Sequence, residues 1–550
     1  MGNHRLLLYF TLFFISYLLW AQWQLDYGPK VADTGEIATD RTGKTTGDGD
    51  IDVPVADAPD ASMQKKAVAE TRSIEKSSQV IKVVTDLVTA EIDTRGGSIR
   101  KMTLRNYAAH AETPDIKLDL LNEKEMSYHV AQSGLVSVNA DSAPTHNTNY
   151  EAEQFLYRLA EGEDELRVPL HWSGVNGERV TKTFIFKRDD YTINVSHSIV
   201  AGHKEWSGSQ YVQLVRASAA GMSESNFIRS YAGGVIYNDE IKYEKYDSDD
   251  IAAENLKREL KDGWLAMLQH YFLAAWIPEK NNTNLYYSRY SAKSDRYTLG
   301  TRTPAQRLEP GEKTEFSARL VVGPKLQYRL EKIEPGLELT VDYGVLTIIA
   351  KPLFWLLDIY HGWFNNWGWA IIFLTITVKG IFYKLSEMSY RSMARMRKVA
   401  PRIKQMKEKY GDDRQGMSKA MMDMYKREKI NPMGGCLPIL VQIPVFLSLY
   451  WVLLESVEMR HAPFALWINN LSAMDPYFVL PVIMGVSMFV QQKLNPAPID
   501  PVQQKVFQIM PFAFTAMFAF FPSGLVLYWV VNNLLSITQQ WIITKRIENS

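Results

Sequence analysis

The sequence predicts a polytopic α-helical membrane protein of six spans that carries a β-sandwich domain on the outer side. Three observations predict it: long charge-free runs, a segregation of charge along the chain, and a middle segment patterned as strands. The 550 residues hold 61 basic and 61 acidic side chains. That balance hides one basic and no acidic residue in 1–20, 39 basic and 49 acidic in 21–345, and 21 basic and 12 acidic in 346–550. A basic last third behind an acidic middle points to a membrane or an anionic partner for the basic part. The single cysteine, Cys436, excludes an intramolecular disulfide and lies in the apolar run GGCLPILVQIPVF, where a small buried side chain is the ordinary reading.

Residues 6–25 (LLLYFTLFFISYLLWAQWQL) carry no charge over 20 positions. At about 1.5 Å per residue such a run crosses a hydrocarbon core of about 30 Å. It closes on Trp20 and Trp23, interfacial anchors rather than the small residues of a cleavage site, so 1–25 reads as an uncleaved anchor. Residues 26–78 read as a flexible linker. No aromatic residue occurs from Gly28 to Asn106, and Asp, Thr, Gly, Ala and Glu dominate up to Ser78, a composition that cannot bury enough apolar surface to fold. Gly43-Lys44-Thr45 is not a phosphate loop, because Ala38 stands where the pattern needs glycine.

From 79 to 335 the chain reads as strands. Alternation and β-branched residues recur in IKVVTDLVTAEID, TKTFIF, YTINVSHSI, SQYVQLVRAS and TEFSARLVV. Arg95-Gly96-Gly97 and Arg188-Asp189-Asp190 are placed as hairpin turns. One stretch, IAAENLKRELKD, reads as helical. His110, His129, His171, His197, His203 and His270 show no metal-ligand or triad spacing and read as structural. Residues 341–362 are densely apolar, but Lys351, Pro352 and Asp358 interrupt them, which suits an amphipathic helix lying in the outer interface.

Apolar spans are expected at about 366–385, 435–455, 476–493, 505–521 and 524–543, within a unit covering 363–546. The last two come from one uncharged stretch, 506–544, of 39 positions. Straight, it would reach about 58 Å, nearly twice the core thickness, so it must fold back, and Pro522-Ser523-Gly524 is the expected turn. Between Lys384 and Lys429 there are fourteen Lys or Arg and six Asp or Glu. Short loops rich in Lys and Arg stay cytoplasmic, which puts both termini inside and the acidic segment outside.

A charged residue within a span is a functional hypothesis by default. Lys379 lies twelve steps from Trp367, about 18 Å deep, with Thr375 one turn earlier on the same face. Two readings stand side by side: a charge serving a wet cavity, or a lysine that snorkels to headgroups near Lys384. Gln442, Ser448, Thr515, Asn532, Asn533 and Thr538 are the other polar in-span residues, each able simply to bond between helices. The segment 384–430 reads as a helical hairpin broken at Gly411-Asp412-Asp413. Eight of the chain's 21 methionines fall in it, including Met393, Met396, Met421, Met422 and Met424. Methionine suits surfaces that bind many apolar sequences, and it equally suits packing of the two arms. A basic amphipathic hairpin can also lie on anionic headgroups.

The segments WGWAIIFLTITVKGIFYKLSEMSYRSMARM, NPMGGCLPILVQIPVFLSLYWVLLESVEMRHAPFALWI, DPYFVLPVIMGVSMFVQQKLNP and FPSGLVLYWVVNNLLSITQQ closely resemble the YidC family of membrane protein insertases. With the anchor, acidic linker and β domain, the resemblance extends along essentially the whole chain and is to the Gram-negative form. It implies an inner-membrane protein with a five-helix insertase core and a periplasmic all-β supersandwich, both termini being cytoplasmic. It also implies a hydrophilic groove open to cytoplasm and lipid. Lys379 aligns with the family's groove base, which is usually Arg; Lys keeps the charge and loses the planar, multidentate guanidinium. Thr375, Phe446, Met484, Met517, Tyr528 and Trp529 resemble the family's substrate contacts, and Gln442 joins them as a polar groove residue. The hairpin methionines would face client or ribosome.

The function implied is insertion and assisted folding of inner-membrane proteins, alone or with the Sec translocon, without catalytic residues, metal or cofactor. Partners implied are nascent membrane proteins, Sec components, the ribosome and lipid, with no specific nucleic acid. Two alternatives belong to other classes. A secondary transporter would show duplicated halves with broken helices, and no internal repeat is seen. A membrane-anchored periplasmic carbohydrate enzyme would need acid–base groups converging in the β domain.

Overall fold

The computed structural model describes residues 53–54, 78–218, 231–411, 413–428, 437–495 and 501–548. The expected anchor at 1–25, nearly all of the linker at 26–78, and Cys436 lie outside the described residues.

Strands between Val80 and Pro324 form two sheets, of eleven and nine strands among the described residues, around one shared apolar core. Period-two patterning explains the facing. In Arg179–Lys187 (RVTKTFIFK), Val180, Lys182, Phe184 and Phe186 point inward and their neighbours outward. Lys182 occupies an inward position that should be apolar. Its ammonium donates to the Gly96 carbonyl at 2.8 Å and the Ser133 carbonyl at 2.9 Å, and burial holds its pKa well below the usual lysine range. The turn at Arg95–Gly97 joins antiparallel strands Val88–Asp93 and Ser98–His110. Gly96 has φ +73°, and a Cβ there would meet the His146 carbonyl oxygen at 2.1 Å, so both backbone and space demand glycine. The Arg188–Asp190 turn likewise joins Arg179–Lys187 to Thr192–Val200.

IAAENLKRELKD is not one helix. Helix α1 (Ser248–Ala253) starts at an Asp247/Asp250 capping box and stops at an extended Glu254. Lys257–Lys261 is instead a strand paired with Thr283–Ser291. The open edge of the larger sheet offers those residues a ladder that outweighs helix propensity.

Helix α2 (Gln327–Ile333) leads to α3 (Thr347–Phe364). The segment Gly344–Phe364 is long and apolar enough to cross a membrane by composition. Both of its ends nevertheless lie on the β-domain side. Tyr343, just before it, has its hydroxyl 3.3 Å from Ser456 Oγ, and Asn366, just after it, donates to the Phe464 carbonyl at 2.9 Å. Ala350, Leu353, Phe354 and Leu357 are buried, whereas Ile348, Trp355 and Trp363 are exposed.

The helical unit follows: α4 (Trp367–Ile381), α5 (Tyr383–Tyr410), α6 (Arg414–Arg427), α7 (Leu437–Glu455), α8 (Val479–Leu494), α9 (Pro501–Phe518) and α10 (Ser523–Glu548). The span expected to run to 385 ends at Ile381, where the chain bends by 67° into α5. Gly380, a poor helix former just before the break, gives the local reason. Helix α4 is capped by Asn366, whose side chain accepts from the Trp369 amide at 3.2 Å. The 522–524 turn is docked rather than free. Ser523 N–H donates to the Ala473 carbonyl at 2.7 Å and Gly524 N–H to that of Leu471 at 2.9 Å. Those bonds satisfy two of the donors that the start of α10 leaves open.

The β domain is seated on the β-domain ends of these helices. His270 Nε2 lies 2.9 Å from the Leu454 carbonyl oxygen, Arg460 donates to Ala109 at 2.9 Å, and Lys245 pairs with Asp342 at 2.6 Å. Beside them Lys325 donates to the Thr340 carbonyl at 3.1 Å, and burial pulls its pKa down to about 8 against the attraction of Glu455.

Candidate functional site

Three helices present side chains at i, i+4 spacing toward one another: Thr375 and Lys379 on α4, Gln442 and Phe446 on α7, and Tyr528, Asn532 and Ser536 on α10. The helices alternate in direction, so the positions sort into two layers. Toward the hairpin side lies a polar layer. Lys379 Nζ is 2.8 Å from Ser536 Oγ and 3.5 Å from Gln442 Oε1, and Gln442 Nε2 donates to Asn532 Oδ1. Val378, Lys379, Phe382, Leu385, Ser386 and Gln442 line a small recess there. No carboxylate pairs with Lys379 among the described residues, so neutral oxygens hold a positive charge that remains uncompensated.

Toward the β-domain side lies an aromatic layer. The Phe446 ring stands edge-on to Trp529 at 4.7 Å between centroids, with Tyr528 at 6.2 Å and Phe518 at 6.4 Å. The sequence-derived candidates thus divide. Lys379 meets Gln442, and Phe446 meets Tyr528 and Trp529. Thr375 is 1 % exposed and gives its proton to the Ile371 carbonyl at 2.7 Å, within its own helix. Met484 on α8 is fully buried, while Met517 on α9 is 44 % exposed and stands apart from the aromatic layer. Ser448 and Thr515 bond back to the Pro444 and Pro511 carbonyls, each at 2.7 Å, so their hydroxyls serve their own helices. Asn533 ties α10 to α8 through Ser487 at 3.0 Å.

Ser536 was missed in the sequence. The available signal was its spacing: four residues after Asn532, it had to share that residue's face. In the hairpin, Met396, Met406, Met421 and Met424 pack with Val399, Ile403 and Tyr425 between the arms. Met393 is partly buried and Met422 faces outward, 56 % exposed.

Comparison with known proteins covers both halves of the chain. The family profile described as the YidC periplasmic domain matches residues 80–356, and that of the 60Kd inner membrane protein matches residues 359–550. The chain is 50 % identical over 553 residues to the membrane protein insertase YidC of Methylococcus capsulatus, covering 100 % of this chain and 99 % of that relative. It is also 50 % identical over 563 residues to the membrane protein insertase YidC of Thioalkalivibrio sulfidiphilus, with coverage of 100 % and 99 %. Among solved structures it is similar to an active YidC insertase crystallised with its first transmembrane domain resolved. There the identity is 18 %, the TM-score 0.39, and the coverage 84 % of this chain and 92 % of that one.

Proposed function

This chain belongs to the YidC family of membrane protein insertases, and we propose that it draws hydrophilic client segments into the recess lined by Lys379 and Gln442. It is an inner-membrane insertase with a periplasmic β domain, and it acts on nascent membrane proteins. The observation that carries the reading is an uncompensated ammonium among neutral oxygens, one helical turn from an aromatic layer.

The mechanism involves no covalent chemistry. A client tail bearing acids is attracted to Lys379, and polar walls supply hydrogen bonds to backbone that would otherwise cost several kcal/mol per unsatisfied group in hydrocarbon. The membrane potential contributes about 2.3 kcal/mol per charge per 100 mV. The apolar client segment then moves into lipid past the aromatic layer of Phe446 and Trp529, and the exposed Met517 on α9, apart from that layer, offers a further adaptable contact. Helix α4 is short. The 15 residues of α4 span about 22 Å, less than a hydrocarbon core of about 30 Å, so the adjoining bilayer thins and the client's path shortens.

The full membrane reading has six spans with both termini cytoplasmic, α3 lying in the outer interface, and the hairpin inside, where clients, ribosome and Sec components would meet it. The Lys and Arg excess of 384–429 supports the orientation. The contacts of Tyr343 with Ser456 and of Asn366 with Phe464, at the two ends of α3, support an interfacial rather than crossing helix.

Depletion of the protein tests the function: small membrane proteins should accumulate uninserted in the cytoplasm, and normal insertion after depletion would overturn the reading. Orientation is tested separately with an impermeant thiol reagent on intact cells, in a Cys436→Ser background. Val175→Cys, at a position 80 % exposed on the β domain, should label; Met422→Cys on the hairpin should not. Labelling at 422 would reverse the charge-based topology.

A further inference from the structure

A lysine this close to the end of a span has somewhere else to go. Its four-carbon stem is flexible, and the headgroup level is a few residues away at Lys384, so an unrestrained Lys379 would snorkel out of the recess. Its ammonium is instead held at 2.8 Å by Ser536 Oγ and faces Gln442 Oε1 at 3.5 Å.

The direction of these bonds is set by the neighbours. Ser536 gives its own proton to the Asn532 carbonyl at 2.7 Å, four residues earlier, which leaves only lone pairs of Oγ toward Lys379. Gln442 gives an N–H to Asn532 Oδ1, which turns its carbonyl oxygen toward the same ammonium. Ser536 is buried, so water does not compete freely for its oxygen. One turn of α10, from Asn532 to Ser536, therefore orients both acceptors. Two single oxygens also suit a compact ammonium better than the planar fork of an arginine.

We infer that Ser536 is a positioning residue that holds the Lys379 ammonium against α10 at the recess, where acidic client segments meet it. The inference rests on the reading of Lys379 as a groove charge. It adds the residue that decides between that role and snorkelling. Asn532 acts behind it by fixing the polarity of both acceptors.

The test measures insertion of one client carrying either an acidic or a neutral translocated tail, with variant levels matched by immunoblot. Ser536→Ala should slow insertion of the acidic-tail client about tenfold, the scale of one lost hydrogen bond to a charged group, and leave the neutral-tail client nearly unchanged. Ser536→Thr keeps a hydroxyl that can bond back to Asn532 and should restore the acidic-tail client. In a Lys379→Met background Ser536→Ala should cause no further loss. If Lys379→Met impairs the acidic-tail client and Ser536→Ala does not, the positioning role is overturned while the groove charge stands. Equal loss for both clients in Ser536→Ala would mean that Ser536 only packs α10, which also overturns it. If Lys379→Met itself is harmless, both readings fall together.

Discussion

Lys379→Glu should nearly abolish insertion of a client with an acidic translocated tail, and Lys379→Met should reduce it about tenfold. The argument is one of sign and surroundings. At 4 Å a pair of unit charges interacts by about 4 kcal/mol at the effective dielectric of a partly wet protein site, so reversing one charge converts attraction into repulsion of that order. No carboxylate among the described residues offsets Lys379, and its contacts are neutral oxygens, so the field it presents to a client is not cancelled locally. Lys379→Arg should retain insertion because the charge persists. A neutral-tail version of the same client should be far less sensitive to all three changes. Protease protection of the tail in an insertion assay reads the series directly. Equal insertion by wild type and Lys379→Met across acidic and neutral tails is the outcome a snorkelling lysine would give, and it would remove the charge from the mechanism.

Asp475→Ala should cost on the order of 3–5 kcal/mol and lower both the melting temperature in detergent and the amount of protein in cells. Asp475 is wholly buried in the connection between α7 and α8. Its carboxylate accepts from Trp467 Nε1 at 2.9 Å, the Tyr477 amide at 3.0 Å and the Leu480 amide at 2.7 Å. Truncation strands three donors, two of them backbone groups at the start of α8, whose own N-cap residue Phe478 offers no side-chain acceptor. The same connection carries Leu471 and Ala473, whose carbonyls hold the 522–524 turn and so set the height of Asn532 and Ser536 opposite Lys379. Asp475→Asn keeps one acceptor oxygen and should fall between wild type and Asp475→Ala. An unchanged melting temperature in Asp475→Ala would show that this connection does not hold the helices in register.

Much of this protein is written in stretches that can be read one at a time. A charge-free run of 39 residues cannot remain a single helix in a bilayer, and the turn follows from Pro522 to Gly524. Alternation in RVTKTFIFK places its buried face without knowledge of any partner strand. Lys379 stands out because a charge in an apolar run is costly wherever the run ends up. Long motifs in the last two hundred residues carry the family, and with it the activity.

What escaped the sequence depends on a partner that lies far along the chain. LKRELK has leucines at helical spacing, yet the free edge of Thr283–Ser291 takes it as a strand. The hairpin methionines suited either a client surface or an arm-to-arm seam, and four of them fill the seam because Val399, Ile403 and Tyr425 are opposite. Ser536 was one small polar residue in a long apolar helix. It became a partner for Lys379 only when α4 and α10, 157 residues apart at that contact, came together with their polar turns at one height. Periodicity and charge are local sums along a chain and can be read in one dimension. Which oxygen faces a given ammonium is set by how helices pack, and that information exists only once distant segments touch.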